Sequence, residues 1–170
     1  MKELRTITAE ELTNVLKEHE KWLKSNHKEG TRADLSATDL QGVNLVMANL
    51  RKANLKGANL KKADLLEADL SEAILSGANL RDACLDEADL REANLSKADL
   101  SEADLYEATL ISANLAYANL RGAGLCGADL EDADLKGADL MGADLKHANI
   151  YGADLNKTYL AEPGSMTQTA

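Results

Sequence analysis

The ten residues Lys136 to Leu145 read KGADLMGADL, and the five-residue unit they repeat runs through most of the chain. Every fifth residue from Leu35 to Leu160 is leucine, with Ile150 the one exception, which makes 26 consecutive units. Two residues before the central leucine stands Ala, interrupted at Thr38, Val43 and Thr158. One residue before it stands Asp or Asn, interrupted at Ile74, Cys84, Thr109, Gly124 and Tyr159. A period this strict is read before any local propensity.

Neither regular element can bury such a pattern. On an α-helix five residues advance about 140° net, so the leucines would scatter round the axis. On a straight strand an odd period sends successive leucines to opposite faces. A chain that turns a corner once per unit does better. Ala and Leu are two apart, so on a short extended piece they point the same way, and the Asp or Asn between them points the other way. The remaining two residues make the corner. Coiled up, the chain turns every Ala and Leu to the axis and every Asp, Asn and corner residue to water.

The corners carry the matching chemistry. The second residue after the central Leu is Gly at 42, 57, 77, 122, 127, 137, 142 and 152, eight of the chain's eleven glycines. A turn needing positive φ prefers Gly, although charged residues at other corners show that Gly is not obligatory. On these residues the sequence resembles the pentapeptide-repeat family, whose pattern is A-(D/N)-L-x-x, over about three quarters of the chain. The resemblance implies a β fold, a right-handed quadrilateral parallel β-helix with four units to a coil. It also implies that the Asp/Asn column is a structural ladder against neighbouring backbone.

Residues 1–30 precede the repeat. Thr8 and Glu11 form a capping-box pattern, and Leu12, Val15, Leu16, His19, Trp22 and Leu23 follow at helical spacing. The expectation is a helix over 8–26, closed by Gly30 and lying over the first coil as a cap, with Met1 to Ile7 loose, His19 half-buried and Trp22 substantially buried. A bare β-helix end would expose leucines and unpaired strand edges. Thr38 and Val43, larger than Ala, would fill space beside Trp22. The domain reading is a capping segment 1–30, a β-helix 31–162 and a disordered tail 163–170 after the Pro163-Gly164 stop.

Only 3% of residues are aromatic and none is Phe, too few for an ordinary globular core but enough for a solenoid, where each coil buries leucines against its neighbours. Net charge is -10. Residues 1–30 are neutral, so the excess lies on the repeat, which argues against direct binding to nucleic acid or to an anionic membrane. No apolar run approaches membrane-spanning length, and Met1 to Leu16 has no signal-peptide core, so the expected location is cytoplasmic. With four units per coil, Cys84 and Cys126 share a face two coils apart, roughly 10 Å at ~4.8 Å per coil, too far for a disulfide. Free thiols fit a reducing compartment.

No catalytic set is visible. His19, His27 and His147 are scattered, neither cysteine has a second Cys or His at ligand spacing, and there is no phosphate loop. The Gly-rich calcium-binding nonapeptide is absent as well. The expectation is a protein that is not an enzyme, with no cofactor and no metal.

Sorting outward residues by face gives a net charge of +1 for the Leu35 series, -2 for Leu40, -6 for Leu45 and -4 for Leu50. The Leu45 series mixes apolar groups with acids: Val46, Met47, Leu66, Glu67, Asp86, Glu87, Tyr106, Glu107 and Cys126. This is the candidate face for a protein partner of unknown identity, against the alternative that such residues are merely solvated. The second candidate is the far end, where Tyr159 and Leu160 suit a weak end-to-end homodimer or a tail folded back over Leu160. Two functional readings follow. One is a non-enzymatic interaction scaffold. The other rests on the resemblance, since some family members mimic DNA and protect DNA gyrase from inhibitors. Here 6.5 coils span about 31 Å, so ten net charges give about one per 3 Å, against one per ~1.7 Å in duplex DNA.

Overall fold

The computed structural model describes residues 4–160. From Asp34 onward the Asp/Asn position of each unit pairs in parallel with the residue twenty positions later, through to Asp139 with Tyr159. Twenty residues are four units, and the chain is a right-handed quadrilateral β-helix. Two bonds make each rung: Asn94 N–H donates to Ala73 O at 2.9 Å, and Leu75 N–H donates to Asn94 O at 2.8 Å. A third closes the corner, as where Ala78 N–H donates to Leu75 O at 2.9 Å. Every second corner residue from Ala37 to Lys157 has positive φ, whether or not it is Gly. That is the conformation a type II turn demands at its third residue. Non-Gly residues pay about 1–2 kcal/mol to adopt it, a cost that rung pairing and burial on both sides offset.

The core is a column. Leu35 to Leu140 are buried at each central position, with Ala filling the second inward site from Ala53 to Ala138. Outside it, the Asp or Asn oxygen turns back on its own unit. Asp69 Oδ1 accepts from Ser71 N–H at 3.0 Å, and Asp134 Oδ1 from Lys136 N–H at 3.0 Å. This Asx turn braces the first corner residue. At five places where Asn follows Asp or Asn in the next coil, the amide also links coils, as in Asn119 Nδ2 to Asp99 Oδ1 at 2.8 Å. The column is thus largely occupied with building the turn.

Helix α1 spans Ala9–Lys24, with Thr8 as N-cap and both bonds of the capping box in place. Leu12 is buried, and Val15 and Leu16 pack partly against the core. The helix ends at Ser25, whose hydroxyl accepts from the Lys28 and Glu29 N–H groups. Three expectations need correcting. Leu4 to Ile7 is not loose: Arg5 N–H donates to Ala37 O and Arg5 O accepts from Asp39 N–H, both at 2.8 Å, so this segment adds a rung above the first coil. His19 is fully buried, because its Nδ1 accepts the Ala33 N–H at 3.1 Å and so meets a donor that has no turn carbonyl before it. Trp22 is only half-buried and stacks between His19 and His27. Val43 instead borders a groove with Leu12 and Leu16, and Thr38 pairs with Arg5.

At the other end burial fades. Leu145 is half-buried, and Ile150, Leu155 and Leu160 are 44%, 36% and 38% exposed. The tail 163–170 lies outside the described residues.

Candidate partner surfaces

The Leu45 face stacks its corner residues coil upon coil. Glu67, Glu87 and Glu107 occupy one column at twenty-residue spacing, each at positive φ and each exposed. Beside them run Val46, Leu66, Asp86, Tyr106 and Cys126, of which Tyr106 is the exposed member. Met47, at 69%, is more exposed than any other large aliphatic residue of the described chain. The fold therefore brings together all nine residues that the sequence singled out here.

Two carboxylates meet at Tyr106. Its backbone N–H donates to both Asp86 Oδ1 and Asp104 Oδ1, each at 3.3 Å. Partial burial pushes the Asp86 carboxyl above its ordinary range, and the neighbouring Asp104 charge adds to the effect. The Glu107 carboxylate beside the Tyr106 hydroxyl pushes that phenol up as well. Cys84 and Cys126 are free thiols. Burial raises the Cys84 thiol, which leaves it protonated and a poor nucleophile.

The Leu50 face is acidic too, but two of its carboxylates, Glu72 and Asp89, are answered within the molecule. Arg51 binds Glu72 through Nε at 3.1 Å and Nη2 at 2.6 Å, Lys52 Nζ reaches the same carboxylate at 3.3 Å, and Arg91 pairs with Asp89. These contacts hold the Glu72 and Asp89 carboxyls below their ordinary range. On the Leu40 face Arg121 reaches Asp139 at 3.1 Å. Among the described residues, no ion pair involves a carboxylate of the Leu45 face. The sequence reading counted charges face by face but did not pair them. The signal was available, because Arg51 and Glu72 are 21 residues apart and Arg121 and Asp139 are 18 apart, one coil give or take a corner.

At the C-terminal end Tyr159 and Leu160 lie together with Ile150, Tyr151 and Leu155, all exposed. Tyr159 keeps its rung, donating its N–H to Ala138 O and accepting from Leu140 N–H. Among the described residues no group of three or more His, Cys, Asp or Glu side chains is placed to hold a metal ion. No helix of the described residues is long and apolar enough to cross a membrane.

The family model for pentapeptide repeats matches residues 31–65, 53–91, 88–125 and 125–160 in eight copies. The chain belongs to the pentapeptide-repeat family. Among solved structures this pentapeptide-repeat protein is similar to Rfr23 from the cyanobacterium Cyanothece 51142, at 31% identity over 88% of this chain and 99% of that one, with a TM-score of 0.51. It is also similar to alr5209 from Nostoc, at 28% identity over 94% and 99% with a TM-score of 0.43. A third is QnrB1, a plasmid-mediated fluoroquinolone resistance protein, at 26% identity over 76% and 78% with a TM-score of 0.35. No curated protein matches the chain.

Proposed function

We propose that this pentapeptide-repeat protein is a non-enzymatic scaffold whose Leu45 face binds a cationic surface of a protein partner in the cytoplasm. The observation that carries this is the contrast between faces. The Leu50 face commits Glu72 and Asp89 to its own arginines, whereas Glu67, Glu87 and Glu107 stand in one column without an ion-pair partner, flanked by exposed Met47 and Tyr106. Apolar anchors beside uncompensated charge suit a partner with Lys or Arg around a hydrophobic patch.

The test is capture of partners by the wild-type protein and by the triple variant Glu67→Lys, Glu87→Lys, Glu107→Lys. Lys already occupies the same corner at positions 52, 62, 97 and 157 with positive φ, so the variant keeps the fold. A control reverses Lys56, Lys97 and Lys136 on the Leu35 face. A partner lost only in the Leu45-face variant supports the reading. A partner held equally by all three proteins overturns it.

The second reading, a DNA mimic that binds gyrase, is favoured by the same unpaired column, since stacked coils repeat carboxylates along a straight edge. It predicts that the protein alters gyrase supercoiling and its inhibition by a quinolone, and that the triple variant does neither. Unchanged supercoiling in both conditions removes this reading and leaves the first intact.

A further inference from the structure

His19 is buried at the junction of α1 and the first coil and is bound there in one protonation state. Its Nδ1 accepts the Ala33 N–H, so the ring is the neutral tautomer with its hydrogen on Nε2. That Nε2 is buried and has no hydrogen-bond partner among the described residues. One ring face packs at 5.7 Å on Trp22, which stacks in turn on His27 at 3.9 Å. The ring therefore latches the cap to the coil through the bond to Ala33, while the stack with Trp22 and His27, all within the capping segment, holds the ring in place.

We propose that His19 is a pH-sensitive latch, and that a proton on Nδ1 releases α1 from the first coil and opens the N-terminal end of the solenoid. The chemistry is local. A protonated Nδ1 can no longer accept, and its hydrogen would point at the hydrogen of Ala33 N–H. The charge would also sit in a buried site. Among the charged groups around it, Arg32 at the entry to the first coil opposes a second cation. The Arg51 backbone favours the proton but only partly offsets the burial. On α1 itself Glu18 is already paired with Lys21 and Glu20 with Lys24, while His27 lies beyond Trp22 in the stack. Desolvation comes first among these causes, and the closed state holds His19 below the ordinary imidazole value. The sign follows. In the open state the ring titrates near ~6.5. The closed state is fully favoured above that value and loses its advantage as pH falls below it, by up to about tenfold per pH unit for one proton. Opening would part the two sides of the groove, baring Leu12 on α1 and Leu40 and Val43 on the first coil.

Native-state hydrogen exchange on the full chain tests this, corrected for intrinsic rates, between pH 7.5 and 5. Protection of the Val15 and Leu16 amides should fall about tenfold per unit below pH 6.5, while Leu85 and Leu100 in the middle coils hold. His19→Gln, whose Oε1 can accept from Ala33 without titrating, should abolish the pH dependence, and His27→Gln should keep it. Helix protection that is flat with pH, that falls in step with the middle coils, or that is unchanged in His19→Gln overturns the latch. If His19→Gln fails to dock α1 at all, nuclear magnetic resonance of the wild-type imidazole decides: a His19 midpoint at or above ~6.5 overturns the proposal, and one well below supports it.

Discussion

Gly30 and Gly42 share a backbone conformation, with φ of +72° and +64°, but not a neighbourhood. A Cβ on Gly30 would lie 2.2 Å from Glu18 O and 2.8 Å from Trp22 N, whereas one on Gly42 would meet nothing within 4 Å. Gly30→Ala should therefore cost about 2–4 kcal/mol, combining positive φ with overpacking, and Gly42→Ala only about 1–2. Urea unfolding with α1 helicity followed separately measures both, and equal costs would mean that α1 does not press on the loop. The inward and outward sites of one unit make a second pair. Leu95 is fully buried and Ser96 is not. Leu95→Asp should unfold its neighbouring coils, since an unpaired buried carboxylate is expensive, while Ser96→Asp should stay within about 0.5 kcal/mol. A scan of successive units that lacks this five-residue rhythm would sink the β-helix. Local spacing made these residues legible. His19 was not, because its partner is a backbone donor fourteen residues on, and nothing in the helical pattern marks one apolar-face residue as an acceptor.

At the scale of elements, α1 and the coils are held by different forces. A coil is held by rungs and buried leucines on both sides. The helix is held on one face only, by Leu12, the Val15 and Leu16 contacts and the His19–Ala33 bond, while the His19–Trp22–His27 stack braces its own C-terminal end. Trp22→Ala should lower stability by about 2 kcal/mol, less than the ~3–5 of a fully buried Trp because this one is half-exposed. Thermal unfolding by circular dichroism reads it, and a loss of a few tenths would mean that the stack adds nothing. The capping box and the repeat were both visible as local patterns, so the cap and the β-helix could be expected. The Arg5 rung could not. Leu4 to Ile7 carries no strand signature, and its pairing is imposed by the open edge of Ala37 to Asp39. The resemblance, rather than spacing, supplied four units per coil.

The whole molecule is asymmetric along its axis. One end is closed by α1 and the Arg5 rung, and the other presents Ile150, Tyr151, Leu155, Tyr159 and Leu160 to solvent. We propose that a second copy meets this end, C-terminus to C-terminus. A single coil's cross-section is a small contact, so association should be weak, on the order of micromolar. Sedimentation at several concentrations should find a dimer that Leu160→Glu abolishes, and a monomer throughout, unchanged by that substitution, refutes the contact. Here the sequence pointed to Tyr159 and Leu160, and among the described residues both are exposed. It read less well on charge, because a net charge summed over a face does not say which arginine reaches which carboxylate across coils.

That twenty-residue turn gives the molecule a phase as well as a length. Duplicating one whole coil lengthens the solenoid by about 4.8 Å and leaves every downstream residue on its original face. Duplicating one unit is different: five extra residues ahead of Leu105 turn everything after them by a quarter revolution. Tyr106 and Glu107 would then leave the acidic column and stand below Arg91 and Glu92. The core would not register the change, since one Ala-Asp-Leu unit packs like another. Such a chain would fold as stably as its parent and present a scrambled surface, so the arithmetic of insertions, rather than any stability threshold, is what preserves a partner face on this scaffold.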